Sequence, residues 1–384
     1  MKKNIYYLSF FCFLILLLAY GCKKKDPNAG FTAADASKDN LWDASFNEGN
    51  KSLDGPVNAI ATSGSVVFVG GDFTKAGGGT VNHIAIWDTV TKTWRGIGGG
   101  VNGSVKSIVI DNDMVYVAGS FTSAGGISAN NIARWDTTNK VWAAMGSGVT
   151  GTINSVTCIG NILYVGGSFT TTAGIPPITL NNIAKYDTTS NIWSSMASGI
   201  NGTVASVMAS GSGTYVGGYF ITAGDVGANN IAKWFGTSWT GLGTGVTGGT
   251  TMTMAEGPNG TYIGGNFNIA GGKQAKYIAL WNGSSLNPLG SNDLSGDDYS
   301  SCVRAIAINN SEVFIGGVIT AAGGVLANNI AKWNGAGWET LGTGVQGGSI
   351  RAIATNGDDV FVGGDFTSVG GKSCTNFGRW KILH

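Results

Sequence analysis

Three observations predict an all-β fold arranged as a radial array of small antiparallel sheets. Seven times a hydrophobic run ends in a small-residue pair, usually Gly-Gly, with the second glycines at Gly71, Gly119, Gly167, Gly218, Gly265, Gly317 and Gly364. Their intervals of 48, 48, 51, 47, 52 and 47 residues set a period near 50, which belongs to repeat architectures and not to a single-core enzyme domain. Each unit reads as four short strands rich in β-branched and aromatic residues, joined by glycine-rich turns. All twelve tryptophans fall at two repeat positions. Seven units of four strands describe a seven-bladed β-propeller of four-stranded antiparallel blades.

The unit from Val303 to Gly348 shows the pattern most clearly. Val303–Ala307 is a first strand, Asn309–Ser311 a turn, and Glu312–Gly317 a second strand. Thr320–Ala327 reads as an irregular connection, and Asn328–Trp333 as a third strand. Asn334-Gly335 is a tight hairpin signal leading into a fourth strand, Trp338–Leu341.

Trp87, Trp135, Trp234, Trp281, Trp333 and Trp380 end third strands, with Tyr186 in the same place in unit three. Trp94, Trp142, Trp193, Trp239 and Trp338 start fourth strands, with Leu286 substituting in unit five. The two positions lie seven residues apart in three hairpins and five apart in two. The difference equals the strand period, so both rings keep the same face. These aromatics are expected to be core between blades.

Seven third strands need seven fourth strands, yet only four residues follow Trp380. Leu41–Phe46, which carries the twelfth tryptophan, Trp42, fits the missing strand. The N-terminal strand is therefore expected to complete the last blade and close the ring, removing an open sheet edge.

The order Gly-Gly, then Trp/Tyr-Asp, then Trp resembles the kelch family of propellers, as in Gly70-Gly71, Trp87-Asp88 and Trp94. Asn-Asn-Ile-Ala-Lys/Arg-Trp also resembles repeats of fungal cortical polarity proteins and of bacterial surface propellers, and Trp42–Asn47 resembles the delta-sixty propeller repeat. The resemblance spans about residues 41–380 and implies a fold without implying a function, because propellers host binding modules and enzymes alike.

At the N-terminus, Met1-Lys2-Lys3 precedes an apolar run from Ile5 to Tyr20 and then Gly21-Cys22. A short basic region, an apolar stretch and small residues before a cut site describe a secretory signal peptide, and Cys22 makes it resemble a bacterial lipoprotein signal. The alternative is an uncleaved anchor, but the run is short of the roughly 20 residues that a span requires. The resemblance implies cleavage after residue 21, acylation of Cys22 and a lipid anchor in the membrane. Residues 22–40, which open on Cys22 and three consecutive lysines and go on through Pro27 with little apolar content, are expected to be a flexible tether, and residues 41–384 the propeller. Lys23, where an aspartate would imply inner-membrane retention, points by resemblance to an outer-membrane lipoprotein on the periplasmic or cell-surface face.

A net charge of +1 with 12% charged residues leaves no basic surplus for nucleic acid. Three cysteines beyond Cys22, namely Cys158, Cys302 and Cys374, give no disulfide framework. His83 and His384 are the only histidines, and His83 stands where five other units carry Asn131, Asn182, Asn230, Asn329 and Asn376, so it reads as structural. A copper or zinc site needing several imidazoles is unavailable, which separates the chain from galactose oxidase, a kelch propeller. No nucleophile elbow or phosphate loop is present. Asp88, Asp136 and Asp187 recur in one hairpin and read as turn residues. Asp72 and Asp365 follow the glycine pair in two units, and none of these forms a recognisable acid–base pair.

Two departures from the repeat remain. The stretch 291–301 adds five residues to its unit and carries Asp293, Asp297, Asp298 and Tyr299. It reads either as a calcium or polar-ligand site or as a solvated loop. The second residue of each inner strand is Asn58, Lys106, Asn154, Ala205, Met252, Arg304 or Arg351, and a small residue always follows it. These positions are expected near the channel mouth, on the face of the long loops, where function concentrates. There Lys106, Arg304 and Arg351 either hold an anion or face channel water. The functional expectation is a monomeric, non-catalytic binding or scaffolding module without a cofactor, with a protein or glycan partner at the envelope. The alternative is a glycan-binding or glycan-degrading protein.

Overall fold

The computed structural model describes residues 30–46, 51–290, 294–296 and 300–383. Asp293, Asp297, Asp298, Tyr299 and Cys22 lie outside these residues, and so do the signal peptide, the acylation site and most of the acidic loop.

The chain has an all-β, propeller-like fold. Among the described residues there are seven four-stranded antiparallel sheets. The first contains Val57–Ser63, Val66–Gly71, Ile84–Asp88 and Thr93–Gly96, paired in that order. The seventh joins Ile350–Asn356, Asp359–Gly364 and Phe377–Lys381 to the N-terminal strand Trp42–Asp43. Trp42 lies opposite Trp380 and Asp43 opposite Arg379, and Arg379 Nη2 sits 2.6 Å from Asp43 Oδ2.

The glycine pairs explain how sheets stack. A Cβ on the first glycine of a pair would strike the next sheet's inner strand: Gly70 meets Val105, Gly166 meets Val204, Gly264 meets Val303 and Gly316 meets Ile350. The seventh sheet meets the first in the same way, through Gly363 and Val57, and Thr62 Oγ1 donates to the Thr355 carbonyl at 3.0 Å. The absence of Cβ at these positions lets the next sheet's inner-strand side chains pack directly on the glycine backbone.

The aromatic positions form pairs. Trp87–Trp94, Trp135–Trp142, Tyr186–Trp193, Trp234–Trp239 and Trp333–Trp338 face each other directly across hairpins, with ring centroids 4.9–5.3 Å apart. Trp42–Trp380 repeats this at 5.2 Å. Four of the fourth-strand indoles also reach to the preceding sheet, Trp142 through Gly98 O at 3.1 Å, whereas the buried Nε1 atoms of Trp94 and Trp338 have no partner among the described residues. Trp193 Nε1 donates to Met145 O, Trp239 to Met196 O and Trp42 to Leu341 O at 2.9–3.0 Å. Each such ring therefore buries apolar area and satisfies its N–H with one placement.

Two features depart from the sequence reading. The long connections are not irregular. Lys75–Ala76 pairs with Gly79–Thr80, and the same small hairpin recurs as Ser123–Ala124 with Ile127–Ser128, and as Ala321–Ala322 with Val325–Leu326. Gly77 and Gly78, with φ of 58° and 78°, form the two-residue turn that requires left-handed backbone at both positions. Residues 30–40, read as part of a flexible tether, are docked. Thr32 bridges Val325, donating to Gly324 O and accepting from Leu326 N at 2.9 Å each. Ala36–Leu41 forms a 3-10 helix, and Asp39 Oδ1 accepts the Thr343 amide at 2.7 Å. Backbone pairing and one carboxylate cap order this segment without apolar side chains.

Candidate functional site

All seven sheets carry a β-bulge at one place. The pairing of first and second strands slips between Val57 and Ala59, Val105 and Ser107, Ile153 and Ser155, Val204 and Ser206, Thr251 and Thr253, Val303 and Ala305, and Ile350 and Ala352. The skipped residues are Asn58, Lys106, Asn154, Ala205, Met252, Arg304 and Arg351, the set singled out in the sequence. A bulge leaves its extra residue outside the ladder and re-aims the side chain. The second glycine of each pair serves this bulge. A Cβ on Gly71, Gly119, Gly167, Gly218, Gly265, Gly317 or Gly364 would lie 1.9–2.1 Å from the carbonyl oxygen two residues before the bulged one.

The structure brings Asn58, Lys106, Arg304 and Arg351 together around one cleft of about 170 Å³. They stand on the first, second, sixth and seventh sheets, in that order, and form a cationic arc. Asn154, Ala205 and Met252 on the third to fifth sheets form an uncharged one. The three cations are not equivalent. Arg351 Nη2 lies 2.7 Å from Asp365 Oδ2, and Nη1 donates to Asn58 Oδ1 at 3.0 Å and lies 3.9 Å from Asp72 Oδ2. Its charge is thus already matched by two carboxylates, so of the three cations it is the least suited to holding an anion. Asp72 and Asp365, which the sequence left without a role, are its counter-ions. Among the described residues Lys106 Nζ meets only the Asn154 side-chain oxygen at 3.4 Å, and Arg304 Nε only Cys302 Sγ at 3.1 Å.

Asp365 also accepts the Ser349 amide at 2.6 Å and the Ser349 hydroxyl at 2.9 Å. Burial opposes its ionisation, but the Ser349 amide, the Arg351 guanidinium and the Ser349 hydroxyl outweigh it, so its pKa lies below the ordinary carboxylate value. A group more acidic in the folded chain contributes stability that is complete above its unfolded pKa of about 4 and is lost as pH falls through the folded value. Asp365→Asn is expected to cost about 2 kcal/mol at neutral pH and to flatten the fall in melting temperature below pH 4. An unchanged acid limb in thermal melts would remove Asp365 from that account.

The asparagine slot is structural. Asn131 accepts the Phe121 amide at 3.1 Å and donates to the Val149 carbonyl at 2.9 Å, and Asn230 and Asn329 do the same in their sheets. His83 shares the slot's left-handed backbone, with φ of 68°. Asp88 accepts the Val90 and Thr91 amides at 3.0 and 2.9 Å, as a turn residue does. Cys158, Cys302 and Cys374 are free thiols. Burial pushes Cys158 up to about 11 and Cys374 to about 12, so both stay protonated and inert. Among the described residues no three potential metal ligands converge.

Sequence reasoning did not separate the apolar side chains of the long-loop face from the core. Ile127, Ile175, Ile178, Ile221 and Val226 lie on the second-to-third-strand connections of the second, third and fourth sheets, and Tyr219 ends the strand that leads into the fourth sheet's connection. All are exposed, with Ile175 at 99%, Tyr219 at 73% and Ile221 at 66%.

A family model described as the Rax2 C-terminal beta-propeller domain matches residues 100–256, less than half of the chain. No curated protein matches. Among solved structures, the WD40 repeats of RRP9 superpose with a TM-score of 0.58 at 10% identity, covering 87% of this chain and 96% of that one. The structure of U3-55K gives 0.58 at 12% identity, covering 87% and 97%. The computationally designed Ika8 protein gives 0.50 at 15% identity, covering 86% and 98%. Identities this low speak to fold alone, and the fold they share with this chain is the β-propeller.

Proposed function

We propose that the chain is a seven-bladed, kelch-like propeller whose ring is closed by the Trp42 strand. It works as a non-catalytic binding or scaffolding module at the cell envelope, anchored in the outer membrane through acylated Cys22. One observation carries the binding reading: exposed Ile175 and Ile221 on long loops of consecutive sheets, with exposed Tyr219 at the strand end leading into the second of them, stand on the face of the uncharged arc of bulge residues. Apolar side chains clustered on loops of a rigid scaffold favour a protein partner. The cationic arc on the other half of the mouth would set orientation, because charge steers approach more than it adds affinity. The alternative is glycan binding, with the 291–301 loop contributing calcium or polar contacts.

The test is affinity capture from native envelope with the full mature chain as bait. Two variants accompany it. One carries Ile175→Ser, Tyr219→Ser and Ile221→Ser. The other carries Lys106→Ala and Arg304→Ala, which the ring tolerates because Ala205 already occupies the equivalent position. A protein partner lost in the first variant and captured more slowly by the second is the expected result. Glycan-array binding with no protein partner would replace this reading with the alternative.

A further inference from the structure

The opposite face, which carries the short turns, holds a second site. In every sheet an aromatic of the second strand lies directly across from one residue of the third. The pairs are Phe68–Ile86, Tyr116–Arg134, Tyr164–Lys185, Tyr215–Lys233, Tyr262–Leu280, Phe314–Lys332 and Phe361–Arg379. Five of the seven partners are cations, so the usual occupant of this position is a long charged side chain lying beside the ring. Lys332 is held there by Glu312 at 2.6 Å and Glu339 at 3.1 Å. Lys233 sits 4.7 Å from the centroid of the Tyr215 ring. In the fifth sheet Leu280 packs against the neighbouring hydrophobic cluster.

The first sheet is different. Ile86 replaces the cation, and an arginine, Arg95, stands one strand further out, directly opposite Ile86. Between the first and second sheets there is a groove of about 310 Å³. Buried Phe68, Ile86 and Val115 form its floor, and exposed Arg95, Asp113 and Lys140 stand on its rim. Among the described residues Arg95 makes no ion pair. The hydroxyl of Thr137, also in the lining, donates to the Asp113 carbonyl at 2.9 Å, which fixes the turn carrying Asp113.

We infer that this groove binds a small hydroxylated carboxylate, with the chemistry of a sugar acid. The volume is at the lower end for ligand pockets. Lys140 Nζ already donates to the Thr137 carbonyl, and Asp88 lies within electrostatic reach of Arg95. The anion-binding group is therefore the Arg95 guanidinium, which makes no ion pair among the described residues and suits a carboxylate. Asp113 supplies acceptors and the Thr138 hydroxyl a donor for ligand hydroxyls, whereas the Thr137 hydroxyl, its proton given to the Asp113 carbonyl, can only accept. The site is independent of the long-loop face and of any partner there.

The experiment is titration of the full mature chain with glucuronate, glucose, acetate and a tetragalacturonate, followed by calorimetry and saturation-transfer NMR. Glucuronate is expected to bind saturably, with glucose and acetate each at least tenfold weaker. Arg95→Ala should weaken glucuronate at least tenfold, and Ile86→Lys should do the same by filling the groove with the side chain that the sixth sheet carries beside Phe314. Melting curves establish that both variants are folded, and if Ile86→Lys is not, Arg95→Ala decides. Tighter binding of tetragalacturonate than of glucuronate would identify a polysaccharide end as the source, and the reverse a free sugar acid. No saturable binding of either acid, or equal binding by the wild type and folded variants, overturns the inference.

Discussion

Deleting residues 41–46 is expected to abolish cooperative folding, or to leave a chain that aggregates on expression. The segment is small, but its contacts are dense. Trp42 is 1% exposed and packs on Trp380, its indole donates to Leu341 O at 2.9 Å, and its carbonyl accepts Lys372 Nζ at 2.6 Å. Asp43 pairs with Arg379 at 2.6 Å, and Phe46 packs on both Trp87 and Phe377. Truncating one buried tryptophan costs about 3–5 kcal/mol. Losing Trp42, the Asp43 pair and Phe46 together approaches the whole net stability of a typical domain, about 5–15 kcal/mol. The deletion also leaves Phe377–Lys381 as an uncovered edge, which templates association. Trp42→Ala alone should lower the melting temperature while keeping a single transition. A deletion variant that melts like the wild type would refute the proposed ring closure.

The second large effect is expected at the bulge glycines. In Gly317→Ala the new Cβ would lie 2.0 Å from the Cys302 carbonyl oxygen, a backbone atom that cannot move without dissolving the bulge. In Gly316→Ala the clash is instead with Ile350 and Ile353 side chains, and the second sheet already carries Ala118 at that place. Gly317→Ala should therefore destabilise by more than about 4 kcal/mol, beyond the ordinary range of single substitutions, and Gly316→Ala by about half as much. Chemical denaturation of both variants reads this directly. Equal effects would mean that the pair serves only sheet stacking, and the bulge would lose its claim on the second glycine.

Much of this architecture was legible in the residues. The near-50 spacing, the paired aromatics and the orphan Trp42 each translate into a local rule about strands, and local rules are visible in one dimension. What escaped was relational. Gly317 reads as a strand end, but its reason is the carbonyl of Cys302, and that contact exists only once two strands are in register. The hairpin turn at Gly77-Gly78 was written in the sequence, yet its flanking strands are two residues long, too short for any alternation to appear. Arg351 gave no sign of its partners because Asp365 reaches it only once their two strands are paired, and Asp72 and Asn58 belong to a different sheet at the far end of the chain. Residues 30–40 looked unstructured because their composition is polar, whereas Thr32 is held by backbone hydrogen bonds, which composition does not report.

That docking of Thr32 limits reach. Cys22 lies ten residues before it, and a fully extended chain covers at most about 3.6 Å per residue. With acyl chains on Cys22, as proposed, the Val325–Leu326 hairpin can stand no farther than about 36 Å from the bilayer surface. A leash running free to residue 40 would have allowed nearly twice that distance. On that proposal the propeller would be moored by the sixth sheet's loop edge, with that rim of the long-loop face held near the lipid. A partner reaching Tyr219 and Ile221 on the fourth sheet would have to fit beside the membrane, which favours a neighbour in the same membrane over a large soluble one.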